Sequence, residues 1–153
     1  MSPLLKKLNY KNQPEVVLLN LPEEQKHLTA DFGESAKVFM DAKKAEKVHF
    51  LMAFCTKQAE VDMVAAQVLP KIEGNGVVWL VYPKGTSKRY KCEFNRDTGW
   101  QSVGAQGFEG VRIIAVDEDW SALRFRRVEN IKTMTRSFAM TKEGKEKAAK
   151  KKP

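Results

Sequence analysis

The sequence predicts a three-layer α/β domain: an open, mainly parallel sheet with helices on its faces and an antiparallel hairpin strand at its end. Three observations carry this. The runs "EVVLLNLP" (15–22), "KVHFLMAF" (47–54) and "GVVWLVYP" (76–83) are apolar almost throughout, as strands covered on both faces are. Between the second and third lies "TKQAEVDMVAAQVLP" (56–70), where Val61, Val64, Ala65, Val68 and Leu69 recur at i, i+3, i+4, i+7 and i+8, forming one apolar helix stripe. The runs "VRIIAVDED" (111–119) and "SALRFRR" (121–127) are almost contiguous, which leaves room for a hairpin and none for a parallel crossover.

Taken in order, the first strand closes at Asn20 and Pro22, and "KVFM" (37–40) makes a second, weaker strand. The strand over 47–54 is too uniformly apolar to have a wet face, which implies a packed, hydrogen-bonded His49; His27 is expected at the surface. Thr56 is the expected N-cap of the helix that follows, and Pro70 with Gly74 ends it. Residues 76–83 form the clearest buried strand, with Trp79 in the core. "RDTGWQSVGAQGFEG" (96–110) has a helical apolar pattern weakened by its glycines. In the last strand Leu123 and Phe125 alternate with Arg124 and Arg126, as on a half-buried strand. Buried strands interleaved with crossovers give a parallel sheet. One that ends in an antiparallel hairpin is a common Rossmann-like variant, seen also in methyltransferase-type domains.

The chain is long enough for one domain with a real core, placed over residues 1–127 and followed by an extension (128–139) and a lysine-rich tail (140–153). No apolar run approaches the roughly 20 residues that span a bilayer, and the start "MSPLLKKLNY" does not read as a signal peptide. Cys55 and Cys92 are expected as free thiols in a reducing cytoplasm. The net charge of +8 suggests nucleic acid, but the tail "MTKEGKEKAAKKKP" carries +4 of it. The body, with 21 basic against 17 acidic residues, is ordinary. The tail is expected to be solvated and to give only weak, salt-sensitive, non-specific contact with polyanions. Deleting residues 140–153 should therefore leave the melting temperature almost unchanged and weaken retention on DNA or RNA, which a melting curve and a salt-gradient column read separately.

A ligand of an open α/β sheet binds beyond the carboxyl ends of the strands. Those ends supply Asn20 and Pro22, Thr56 and Lys57, Lys84, and then Asp117, Glu118 and Trp120. Lys84 and Asp117 are expected at one edge, as an ion pair or flanking an anionic ligand, with Arg124 as the other candidate partner of Asp117. "YPKGTSKRYK" (82–91) has the composition of a phosphate loop, with Ser87 and Lys88 in it, but not its glycine order, and no G-x-G-x-x-G occurs. His27, His49 and the two cysteines have no metal-ligand spacing. Ser87 or Ser121 could be written into a hydrolase triad, but no nucleophile elbow surrounds either. Trp120 either covers the end of the core or walls a pocket.

"SPLLKKLNY", "VVLLNLP", "VVWLVYPK" and "AVDEDWSALRF" together resemble an uncharacterised bacterial domain family. Its members carry a Pro-Leu-x-x-Lys-Leu start, a Trp/Tyr-Pro-Lys strand end and a Val-Asp-x-x-Trp-Ser-x-Leu-Arg ending. Tyr82 stands where that family more often has tryptophan, and the tail lies outside the pattern. The resemblance implies a small Rossmann-like domain and supplies no reaction. With no nucleophile–base pair, metal set or cofactor loop, the sequence favours a non-enzymatic binding or regulatory module. The alternative is an enzyme or ligand-binding protein acting on a phosphorylated or other anionic small molecule at the carboxyl edge. Its candidate residues are Lys84, Ser87, Lys88, Asp117, Trp120 and Arg124.

Overall fold

In the computed structural model, which describes residues 2–95 and 97–131, six strands form one sheet in the order β2-β1-β3-β4-β6-β5. β1 (Glu15–Leu19), β2 (Lys37–Phe39), β3 (Val48–Phe54) and β4 (Ile72–Pro83) run parallel. β6 (Trp120–Arg127) pairs antiparallel with β4 on one side and with β5 (Phe108–Ala115) on the other. The expected α/β sheet is present. β5 does share the direction of β4, but it is not its neighbour. The crossover after β4 skips one place, and β6 folds back into it through a tight turn in which the Val116 N–H donates to the Trp120 carbonyl at 2.9 Å.

Alternation along the strands sorts the core into two layers. Val17, Leu19, Leu51, Ala53, Val78, Leu80, Leu123 and Phe125 face α3 (Gln58–Gln67) and α4 (Gln101–Ala105). Val16, Leu18, Phe50, Met52, Val77, Trp79, Val81 and Trp120 face α1 (Pro3–Lys7) and α2 (His27–Gly33). Trp120 is 2% exposed, so it covers the end of this second layer.

Neither α1 nor α2 is signalled by apolar period, because each is a short helix that buries only one or two side chains. α1 is set by local chemistry: the Ser2 hydroxyl accepts from the Leu5 N–H at its N-terminus, and Pro3 occupies the first turn. α2 inserts Leu28 and Phe32, and Phe32 closes an aromatic cluster with Tyr10 and Phe50 at centroid distances of 5.1 and 5.3 Å. His49 corrects the sequence reading. It is the exposed position of β3, whose pattern leaves one residue open. The N-cap of α3 is Lys57 rather than Thr56, because Glu60 within the helix supplies the acceptor instead of the threonine hydroxyl. The extension beyond Ile131 and the lysine-rich tail lie outside the described residues. Among the described residues no helix is long and apolar enough to cross a membrane.

Candidate functional site

Beyond the carboxyl end of β4 the chain turns through residues 84–100 before reaching α4, and this excursion leaves a cleft of about 840 Å³. Its apolar wall is Tyr82, Phe94 and Ile113; Lys84, Ser87, Lys91 and Glu93 are among the polar lining residues. The wall belongs to the α3–α4 face, because Tyr82 pairs with Ser121 and Ser121 with Ala115 along the sheet. Ile113 is left 42% exposed there, unusual for a large apolar side chain in the middle of a strand. Phe94 is held by Trp100 and Tyr82, at ring distances of 5.0 and 6.0 Å.

The cleft's charges are unevenly committed. The Glu93 carboxylate accepts from the Gln58 N–H at 2.8 Å, where α3 begins. Glu60 accepts from the N–H groups of Thr56 and Lys57 at 2.9 and 3.1 Å, so two of the protein's own carboxylates satisfy the start of this helix. Lys84 and Lys91 form no ion pair among the described residues. Cys92 also lines the cleft, and partial burial raises its thiol; Cys55 behind it is fully buried, which pushes its thiol up much further. An alkylating reagent at neutral pH should label Cys92 and spare Cys55, as peptide mapping would show.

Of the sequence-predicted residues, Lys84 and Ser87 line the cleft. Lys88 is exposed on the same loop, outside the lining. Asp117 and Trp120 are at the expected edge but serve to close it. The Asp117 carboxylate accepts from the N–H groups of Asp119 and Trp120, at 2.8 and 2.9 Å, and from Gln25 Nε2 at 2.6 Å. Neither Lys84 nor Arg124 is its partner. Lys84 meets the turn through its backbone N–H, which donates to the Asp119 carbonyl at 2.8 Å. Arg124 lies four residues along β6 from Trp120, on the face away from the cleft, beside Trp79 and Arg112. The hairpin turn needed an acceptor for its own amides, and Asp117 fills that need. Asp117→Asn should cost about 1–2 kcal/mol, because an amide set against the buried Gln25 Nε2 opposes donor to donor. Asp119→Asn should cost less, since an amide oxygen can still accept from Ser87 Oγ. Equal midpoints in urea for the two variants would contradict this.

Residues that the sequence did not single out complete the edge. Glu24, in the turn after β1, accepts from the Tyr90 hydroxyl and from Trp120 Nε1 at 3.3 Å, with Arg89 at 3.9 Å. Partial burial works to raise the Glu24 carboxyl, but the hydrogen bonds from Tyr90, its own backbone and Trp120, together with the Arg89 charge, outweigh it and hold the pKa below the ordinary value. The same hydrogen bond, with burial, raises the Tyr90 hydroxyl. A carboxylate with a depressed folded pKa adds stability that is present above its unfolded pKa and lost as pH falls through the folded one. Tyr90→Phe should therefore flatten the acid limb of the pH–stability curve. Only the acids of "LPEEQ" hint at this network in the sequence, and the hydrogen-bond partners of Glu24 lie more than 60 residues away.

No family model matches the chain, and no curated protein matches it. Solved structures do share its fold. A SAM-dependent methyltransferase from Aquifex aeolicus superposes with a TM-score of 0.53 at 8% identity, over 81% of this chain and 87% of that one. A putative type 11 methyltransferase from Sulfolobus solfataricus gives 0.51 at 10% identity, over 82% and 89%. The pyocyanin biosynthetic protein PhzM gives 0.52 at 8% identity; the match covers 81% of this chain and 53% of that one, about half its length. This likeness is one of fold. It corrects the expectation of a non-enzymatic module, which rested on missing motifs, whereas sheets of this kind carry enzymes whose sites come from scattered strand ends.

Whether a nucleoside cofactor such as SAM fits this chain is answered by the crevice between β1 and β3, the switch point of the sheet, where glycines of the first turn let such a group approach the backbone. Residues Asn20 to Gln25 include no glycine. Asn20 Nδ2 donates to the Phe54 carbonyl across the two strand ends at 3.1 Å. Glu60 and Glu93 cap α3, and Glu24 ties the turn to Tyr90 and Trp120. The chain's own side chains take the groups that the cofactor would need, so these residues do not fit it.

Proposed function

We propose that this protein is an enzyme or ligand-binding protein that takes an anionic small molecule, phosphorylated or carboxylated, in the cleft beside β4. The observation that carries the reading is the pair Lys84 and Lys91, two ammonium groups lining a concave site without ion pairs among the described residues, while the acid beside them is held by α3. Tyr82, Phe94 and Ile113 offer an apolar floor for the body of such a ligand, and Asn95 and Thr98 offer polar groups that orient it, while Ser87 Oγ is held by Asp119 and the loop's own N–H groups. The free thiols of Cys55 and Cys92 support a reducing compartment such as the cytoplasm.

A thermal-shift panel of sugar phosphates, nucleotides, dicarboxylates and neutral analogues tests the reading. A specific anion at 100 times its Kd adds about 2.7 kcal/mol. Lys84→Ala and Lys91→Ala should each remove most of that stabilisation, and the ligand should slow alkylation of Cys92. Stabilisation by a neutral ligand that survives both substitutions would overturn the proposal.

A further inference from the structure

The opposite face of the sheet carries a second charge cluster. Arg112 on β5 stands directly across from Arg124 on β6, and Arg126 follows two positions along the same face. Arg124 is flanked on its other side by Trp79. Like charges directly opposite on neighbouring strands destabilise a sheet. Arg124 is also partly buried, and its Nε is shielded from water with no hydrogen-bond partner. Burial and the neighbouring Arg126 and Arg112 charges all lower its pKa.

None of the three arginines forms an ion pair among the described residues. Arg126 is met by a neutral group: its Nε and Nη2 donate to Asn75 Oδ1 at 3.2 and 3.0 Å. Glu109, the one acid on β5 or β6, stands across from Arg126 and is buried with interactions of its own. Three arginines thus share one face of two neighbouring strands, where a single carboxylate cannot neutralise them. Arg112 is exposed, and Arg124 and Arg126 are partly so, which leaves the cluster open to a ligand from the Arg112 side.

We propose that Arg112, Arg124 and Arg126 bind a phosphate group on this face, remote from the cleft. Guanidinium donates paired N–H groups in the geometry that phosphate oxygens accept, and a phosphate anion would relieve the repulsion between the arginines. The source is a free phosphate monoester or the phosphodiester of a nucleic-acid strand.

The test uses the full chain and reads the Arg124 Nε–H resonance, assigned by its loss in Arg124→Lys. Inorganic phosphate, titrated at constant ionic strength against chloride, should move it, and Arg112→Ala should weaken the apparent affinity about tenfold. Lys43→Ala, an exposed charge in the turn between β2 and β3, should not. Lys84→Ala in the cleft should not either, which separates this site from the one proposed above. Ribose 5-phosphate and a 20-nucleotide oligo-dT then distinguish the sources: whichever moves the resonance and depends on Arg112 is the ligand class. No movement beyond the chloride control, or equal weakening by Arg112→Ala and Lys43→Ala, would overturn the proposal.

Discussion

Trp79→Ala is expected to cost about 4 kcal/mol, the upper part of the range for a large aromatic removed from a core. Trp79 is fully buried at the centre of β4, paired with Met52 of β3 on one side and Arg124 of β6 on the other. Its indole Nε1 donates to the Leu8 carbonyl at 2.8 Å, which fastens the segment after α1 to the middle of the sheet. Alanine would leave a cavity and an unsatisfied buried carbonyl together. Trp79→Phe keeps most of the volume and loses only the hydrogen bond, so it should cost about 1–2 kcal/mol. Chemical denaturation of the two variants reads both terms. If alanine costs less than about 2 kcal/mol, the layer between the sheet and α1 relaxes far more than its burial implies.

That same residue shows what was legible in the sequence. "GVVWLVYP" reads as a strand covered on both faces because no polar residue interrupts it, and the structure places it fourth in a sheet of six. The hairpin was legible because turn length decides strand direction. The place of β6 between β4 and β5 was not, since sequence proximity says that two strands pair and not what lies on their far sides. Charged residues were harder still. Lys84 and Asp117 come to one edge, as their strand-end positions imply, but the partner of Asp117 is Gln25, 92 residues earlier and carrying no charge that would have drawn attention. His49 was misjudged for a related reason. An apolar run tells how buried a strand is on average, and one outward position can still hold a polar ring. The cleft itself comes from the irregular excursion 84–100, whose course depends on tertiary contacts that no period records.

Gly99→Ala is expected to cost about 3 kcal/mol and to weaken the cleft as well. Gly99 has φ +90°, a conformation that a side chain makes costly by about 1–3 kcal/mol. A Cβ there would sit 2.5 Å from Phe94 Cβ and 2.8 Å from Gln58 Oε1, so contact strain adds to backbone strain. Neither neighbour can move freely. Gln58 Nε2 donates to the Gly99 carbonyl at 2.8 Å and to Asp62 at 3.0 Å, and Phe94 is wedged against Trp100 and Tyr82. Relief must therefore come from Phe94, Asn95 and Thr98, which are lining residues of the cleft. Gly85→Ala is the control: it alters another lining residue, but a Cβ there meets nothing within 4 Å, so its cost should stay below about 0.5 kcal/mol. Measured side by side, Gly99→Ala should lower both the unfolding midpoint and the ligand-induced shift, while Gly85→Ala leaves the midpoint in place. A Gly99→Ala protein with an unchanged midpoint and an unchanged ligand response would mean that the 94–100 turn does not shape the cleft wall as described.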